Sequence, residues 1–355
     1  MEILFNVLFS ASLMLAIVPV LIKGALKIGL TDMPGGRKLH KQPTPLVGGI
    51  AIGMTTLMSL MVQPSGFATF EVFYTLVACS LVLLILGALD DYMEIRASRK
   101  LLVQVMCAVV VVRSGLHLQS LFGIFGVENI PLPVMQVLSI VIITGVVNAY
   151  NLIDGVDGLS GMVSLLAMIV LGLISHLTGA DGLTWFFTMM SGAIVAFLKF
   201  NLGQKNKIFL GDAGSLFLGF IIVCSSMALL NHSASRGDDS GNTVLVTLIG
   251  LMAIPVFDSL RVYIERYREG RSPFTAERNH IHHLLQGFEL SPLRISLTIV
   301  TISMLLIATA FIFHHWIEVT WVILGMMLVF RVLIFVLNSN REMMTWQQKI
   351  QSFEE

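Results

Sequence analysis

Asn148, Asn151, Asp154 and Asp157 recur at every third position of the run Asn148–Leu159. On a helix this spacing would hold four oxygen-bearing side chains on one slowly rotating face. Gly155 and Gly158 interrupt the run and leave backbone open to close approach. Oxygen ligands beside bare backbone suit a hard cation and a phosphate. A helix end with Asx caps would account for one Asp, but not for four polar positions. The stretch lies between the apolar runs 133–147 and 159–177. Carboxylates at the mouth of membrane segments are costly and need a reason.

Three further clusters carry similar chemistry. Asp90-Asp91 ends the apolar run 81–89. Neighbours on a helix diverge by about 100°, so one acid is expected to face a site and the other a basic partner. Lys100, after Arg96 and Arg99, can hold a phosphate as a point charge, or serve only as a membrane anchor. Asp212 stands in Phe209-Leu210-Gly211-Asp212-Ala213-Gly214-Ser215 at a predicted helix start. Glycines and an acid at a helix N-terminus suit a metal–phosphate complex, and a plain N-cap is the simpler alternative. Phe209 offers a face for a nucleobase. His280, His282 and His283 fall within four residues, beside Arg271 and Arg278. No nearby Cys completes a zinc site, so these rings read as hydrogen-bonding partners of phosphate oxygens or of an acid. Thr44 lies in Pro43–Gly49, after Lys38, His40 and Lys41, as part of a candidate anion-binding rim. A proline-led helix start is the alternative there.

Membrane segments must position these groups. The 355 residues are 55% hydrophobic and 12% charged, against about 25% charged in a soluble domain. The chain therefore reads as all-α, a polytopic membrane helical bundle. The net charge of +0 gives no general affinity for polyanions, and no nucleic-acid partner is expected. Cys79, Cys107 and Cys224 lie in apolar segments and read as small buried hydrophobes. Eleven spans of bilayer length are predicted, near 3–22, 45–63, 70–89, 101–118, 132–150, 159–178, 184–200, 213–231, 243–261, 295–313 and 316–338. Residues 1–338 then form one integral membrane domain and 339–355 a cytoplasmic tail. With the N-terminus outside and the C-terminus cytoplasmic, only Arg113, Arg236 and Arg331 of the 22 Lys and Arg fall away from the inner side. All four polar clusters then converge on the cytoplasmic face.

The motifs PTPLVGG, LGALDD, NAYNLIDGVDGL, FLGDAGS and SPFTAERNHIHHLL, in this order, resemble the polyprenyl-phosphate N-acetylhexosamine-1-phosphate transferase superfamily. The resemblance runs from Lys38 to about Gln286. The histidine motif is most similar to the bacterial branch that transfers GlcNAc-1-phosphate to undecaprenyl phosphate. The resemblance implies a multi-pass protein of the bacterial inner membrane whose active site faces the cytoplasm. It implies transfer of an N-acetylhexosamine-1-phosphate, GlcNAc first, from a UDP-sugar to undecaprenyl phosphate, with release of UMP. The product would begin a cell-envelope glycan such as O-antigen.

Roles follow from the same resemblance. Asn151 and Asp212 match positions that hold Mg²⁺, for which Mn²⁺ can substitute. Asp157 and Phe209 match a uracil pocket. Lys100 matches a lysine near the transferred phosphate, and Asp90 and Asp91 match paired aspartates of the active centre. His280, His282 and His283 match a motif near the pyrophosphate and sugar. The implied catalytic set is Asp90, Asp91, Lys100, Asp154 and His280, with Arg278 and Thr44 added to the substrate contacts. Direct attack by the lipid phosphate is expected, with Asp90 or Asp91 orienting the acceptor, because a phosphate monoester is largely dianionic at neutral pH. UDP-GalNAc and UDP-MurNAc-pentapeptide are alternative donors, and a homodimer is left open. A secondary transporter is the rival from another class, but it would bind near the midplane in two related halves.

Overall fold

The computed structural model describes residues 1–33, 43–62, 72–128, 130–236, 240–272 and 279–354. Twelve α-helices run among them: α1 Glu2–Ile28, α2 Gly48–Val62, α3 Val72–Met93, α4 Ala97–Arg113, α5 Leu132–Ile153, α6 Leu159–Leu177, α7 Asp181–Asn201, α8 Gly211–Ala234, α9 Ser240–Arg268, α10 Ile281–Gln286, α11 Pro292–Phe313 and α12 Val319–Glu354. The strand pair β1 Thr31–Asp32 and β2 Thr44–Pro45 is antiparallel, with Thr31 opposite Pro45 and Asp32 opposite Thr44.

Each of the eleven predicted spans coincides with a helix. Nine of the described helices are long and apolar enough to cross a membrane, so the chain is a multi-pass membrane bundle. The other two segments are shorter: α2 has 15 residues and α4 has 17. Both fall below the roughly 20 residues that a bilayer core demands. α4 also carries Arg99 and Lys100 in its first turn and Arg113 at its end.

The bundle is organised around α8, which is almost wholly buried. It packs against α2, α3, α5, α6 and α9. Lipid is as apolar as leucine, so membrane helices associate through close packing and small residues rather than through water exclusion. α8 has those residues on its contact faces: at Gly219 an added Cβ would come within 2.8 Å of Tyr150 Cβ. The peripheral helices show the opposite pattern. Leu4, Leu8 and Val20 of α1 and Leu328, Val332 and Phe335 of α12 are exposed, as a lipid-facing stripe requires.

Candidate active site

The site is built at the first turn of α8. A helix start leaves backbone amides without partners, and here the cap residue Leu210 has no side chain to supply one. Asp91, at the end of α3, takes that place. Its carboxylate accepts from the amides of Asp212 at 2.8 Å and Ala213 at 3.2 Å. Gly211 has φ +73, and a Cβ there would lie 2.4 Å from Asp91 Oδ2. The cap therefore comes from another helix, and the Asp212 side chain is free for other work.

Asp212 Oδ2 accepts from Lys100 Nζ at 2.9 Å, and its Oδ1 accepts from Asn151 Nδ2 at 3.0 Å. Asn151 also donates to Ser215 Oγ at 3.0 Å. Asp90 diverges from Asp91 as adjacent helical residues must. It accepts from Lys100 Nζ and from the amide of Ile95 at 2.5 Å, closing the turn between α3 and α4. Desolvation opposes the charge on Lys100, but Asp212 and Asp90 outweigh it and raise its pKa, so it stays an ammonium.

The expected single helix through the central stretch breaks at Ile153. Asn148 and Asn151 remain helical, whereas Asp154 ends α5 and Asp157 lies in the loop before α6. Gly158, with φ +83, turns the chain, and its amide donates to Asn201 Oδ1 at 2.6 Å. Asn148 donates to Tyr263 Oη and does not line the cleft. Asp157 pairs with Lys207 Nζ at 2.5 Å, and that ammonium stands 5.5 Å from the centre of the Phe209 ring.

These elements enclose a cleft of about 420 Å³. Asp91, Asp154, Asp157, Phe209, Asp212 and His283 all line it, with Asp32, Asn201 and Gln286. Asn151 and Lys100 hold Asp212 from the side, and Asp90 holds Lys100. His282 is buried with its ring against Gly155, and His280 is buried outside the cleft lining. Thr44 is buried in β2, outside the lining, and the neighbouring Pro45 carbonyl accepts the Phe209 amide at 2.9 Å. Arg278 lies outside the described residues. The cleft sits at helix ends, not at mid-span.

Asp154 is partly open to the cleft, yet desolvation pushes its pKa up to about 7. A Ser160 hydrogen bond opposes the shift, and the charges of Asp212, Asp91 and Asp157 add to it. Between its ordinary 3.8 and about 7 the folded chain therefore keeps a proton that the unfolded chain has released. Stability must fall as pH rises through that window. Asp154→Asn should flatten this slope: between pH 5 and pH 8 its unfolding temperature in detergent should drop less than that of the wild type. Parallel slopes would show that Asp154 titrates normally.

Residues 73–230 match the model of glycosyl transferase family 4. That segment contains every acid of the cleft except Asp32. Proteins named undecaprenyl-phosphate alpha-N-acetylglucosaminyl 1-phosphate transferase are similar over much more of the chain. The one from Escherichia coli (strain K12) is 31% identical over 316 residues, covering 86% of this chain and 83% of its own. The one from Yersinia pestis is 30% identical over 290 residues, covering 80% and 76%. The one from Pasteurella multocida (strain Pm70) is 36% identical over 275 residues, covering 74% and 72%. The chain belongs to glycosyl transferase family 4.

In this family member several residues outside the sequence clusters support the site or the segments that border it. Asp258 and Arg261 lie inside the predicted span 243–261, and their cost in a membrane was the available signal. The sequence presents Lys207 only as one of the inner-side charges, whereas the structure pairs it with Asp157. Asn201 anchors both the Gly158 amide and, through Nδ2, the Ile208 carbonyl at 2.9 Å. Nothing in its local sequence marks that role.

Proposed function

We propose that this family 4 protein transfers GlcNAc-1-phosphate from UDP-GlcNAc to undecaprenyl phosphate, with UMP as the leaving group. The observation that carries the reading is the convergence of Asp91, Asp154, Asp157, Asp212 and Phe209 on one cleft, in a chain similar over most of its length to proteins with that printed activity. The reaction takes place on the cytoplasmic side of a bacterial inner membrane, and the product begins a cell-envelope glycan.

An oxygen of the lipid phosphate forms a bond to the β-phosphorus of the donor as the bond to the bridging oxygen breaks, and that oxygen leaves on UMP. Phosphoryl transfer of this kind needs positioning and charge stabilisation more than covalent chemistry. Lys100, held between Asp90 and Asp212, brings an ammonium to a site otherwise crowded with carboxylates. Asp157 and Phe209 receive the base, with Lys207 fixing the carboxylate beside the ring.

The donor set fits Mg²⁺. Among the described residues no three His, Cys, Asp or Glu form a protein-only cage. Mg²⁺ prefers one or two protein oxygens with phosphates and waters, and Asp212 with Asn151 supplies such a pair. When bound, the ion would offset the charge that builds on the departing UMP.

The positions of Asp90 and Asp91 favour direct attack. Asp90 is engaged by Lys100 and Ile95, and Asp91 by the α8 amides, so both are committed as acceptors. Purified protein should release UMP from UDP-GlcNAc only when undecaprenyl phosphate is added, and a panel with UDP-GalNAc and UDP-MurNAc-pentapeptide should leave UDP-GlcNAc the best donor. Delipidated protein should not exchange labelled UMP into UDP-GlcNAc. Robust lipid-free exchange would instead establish a covalent phosphosugar intermediate.

A further inference from the structure

His280 is buried and stands outside the cleft lining, although it opens the histidine motif. Its Nδ1 lies 2.8 Å from Asp258 Oδ2. Asp258, buried in α9, also accepts from the Ile281 amide, at 3.2 Å on Oδ1 and 3.1 Å on Oδ2. Arg261 Nη2 donates to Asp258 Oδ1 at 2.8 Å. A buried carboxylate held by a guanidinium is ionised and can only accept, so the proton of the His280 ring sits on Nδ1. Arg261 also donates to Glu265 at 3.0 Å and 3.1 Å, and Glu265 accepts from Asn279 Nδ2 at 2.7 Å. The start of α10 is thereby tied to α9 from two directions.

The rings then form a stack that leads to the cleft. His282 lies parallel to His280, with centroids 5.9 Å apart and planes 4° apart. Its Nε2 abuts Gly155, where an added Cβ would come within 2.3 Å. His283 tilts against His282 at 4.1 Å and lines the cleft. Of the three rings, His283 is the one that lines the cleft, and His282 packs behind Gly155 of its wall.

We infer that Asp258 is the positioning residue of the histidine segment: through the Nδ1–H of His280 and the amide of Ile281 it fixes α10, and so sets His282 and His283 against the wall formed by 154–158. His280 acts through this hydrogen bond and does not touch the reacting phosphates. The inference deepens the transferase reading and rests on it.

Two substitutions at His280 separate the ring nitrogens. Asparagine places an amide nitrogen near Nδ1, and glutamine places one near Nε2. With UDP-GlcNAc and undecaprenyl phosphate, His280→Asn should keep turnover within about tenfold of the wild type. His280→Gln and Asp258→Asn should each lose about ten- to a hundredfold, the range for partners that orient a functional histidine. Asp258→Asn combined with His280→Ala should lose less than the two single losses multiplied together, since both variants cut the Asp258–His280 link. Backbone hydrogen exchange over 280–286, measured on the full chain in detergent without substrates, should quicken in Asp258→Asn and His280→Gln but not in His280→Asn. That readout needs no turnover, so it tests the inference even if the assigned substrates are wrong. If Asp258→Asn fails to insert, the two His280 variants decide alone. An active glutamine variant with an inactive asparagine variant would overturn the inference, as would additive losses or unchanged exchange in Asp258→Asn.

Discussion

Asp212→Asn should lower turnover by at least about three orders of magnitude, or about 4 kcal/mol at roughly 1.4 kcal/mol per factor of ten. The substitution keeps the size of the side chain. It leaves the α8 amides capped, because that cap is the carboxylate of Asp91. The protein should therefore insert normally. What is lost is the charge that pairs with Lys100 and accepts from Asn151, and with it the oxygen donor that would face a divalent cation and the donor pyrophosphate. Asn151→Ala should act in the same direction and by less, since one carboxylate remains. EDTA should stop the wild type, and Mg²⁺ or Mn²⁺ should restore it. A phosphosugar-transfer assay at matched membrane content measures all three, and full activity of Asp212→Asn at low Mg²⁺ would remove Asp212 from the centre of the reaction.

Gly49→Ala is expected to have the second largest effect, although Gly49 does not line the cleft. A Cβ there would lie 2.1 Å from Gly214 N and 2.2 Å from Gly214 Cα. Gly87 of α3 meets the same turn from the other side, with its Cβ 2.4 Å from the N and Cα of Ala213. The obstructing atoms are backbone of the first turn of α8, which Asp91 caps and from which Asp212 projects. That turn cannot yield without moving the carboxylates. An ordinary contact needs about 1 Å more room, and a misplacement of that size at a reacting centre costs about a hundredfold in rate. Overpacking of this kind also destabilises by about 1–3 kcal/mol. Gly145→Ala in α5 is the control: nothing lies within 4 Å of its Cβ. It should leave activity intact and stabilise the helix slightly, by about 0.5–1 kcal/mol. Equal activity in the Gly49 and Gly145 variants would show that the α2–α8 contact does not position the site.

Taken alone, the sequence determined the membrane class, the helical architecture and the set of clusters that meet at one end of the bundle. Those features are local or additive. Apolar runs of bilayer length must become helices, and charged groups must gather at their ends, because unpaired polar atoms are too costly in hydrocarbon. The ordered motifs also pointed to the family that the comparisons establish. The partners of each side chain were a different matter. Nothing near Asp91 in the chain shows that it caps α8, 121 residues away, or that Asp258 holds His280 across 22 residues. The spacing places Asp154 and Asp157 on one helical face, yet α5 ends at Ile153 and Asp157 lies in the loop before α6, beside Lys207. Such pairings depend on which helices touch, and in a membrane that choice follows from backbone approach at small residues such as Gly49, Gly87 and Gly219. Sequence spacing sets which atoms a segment can present. Only the packing around α8 decided which of them meet.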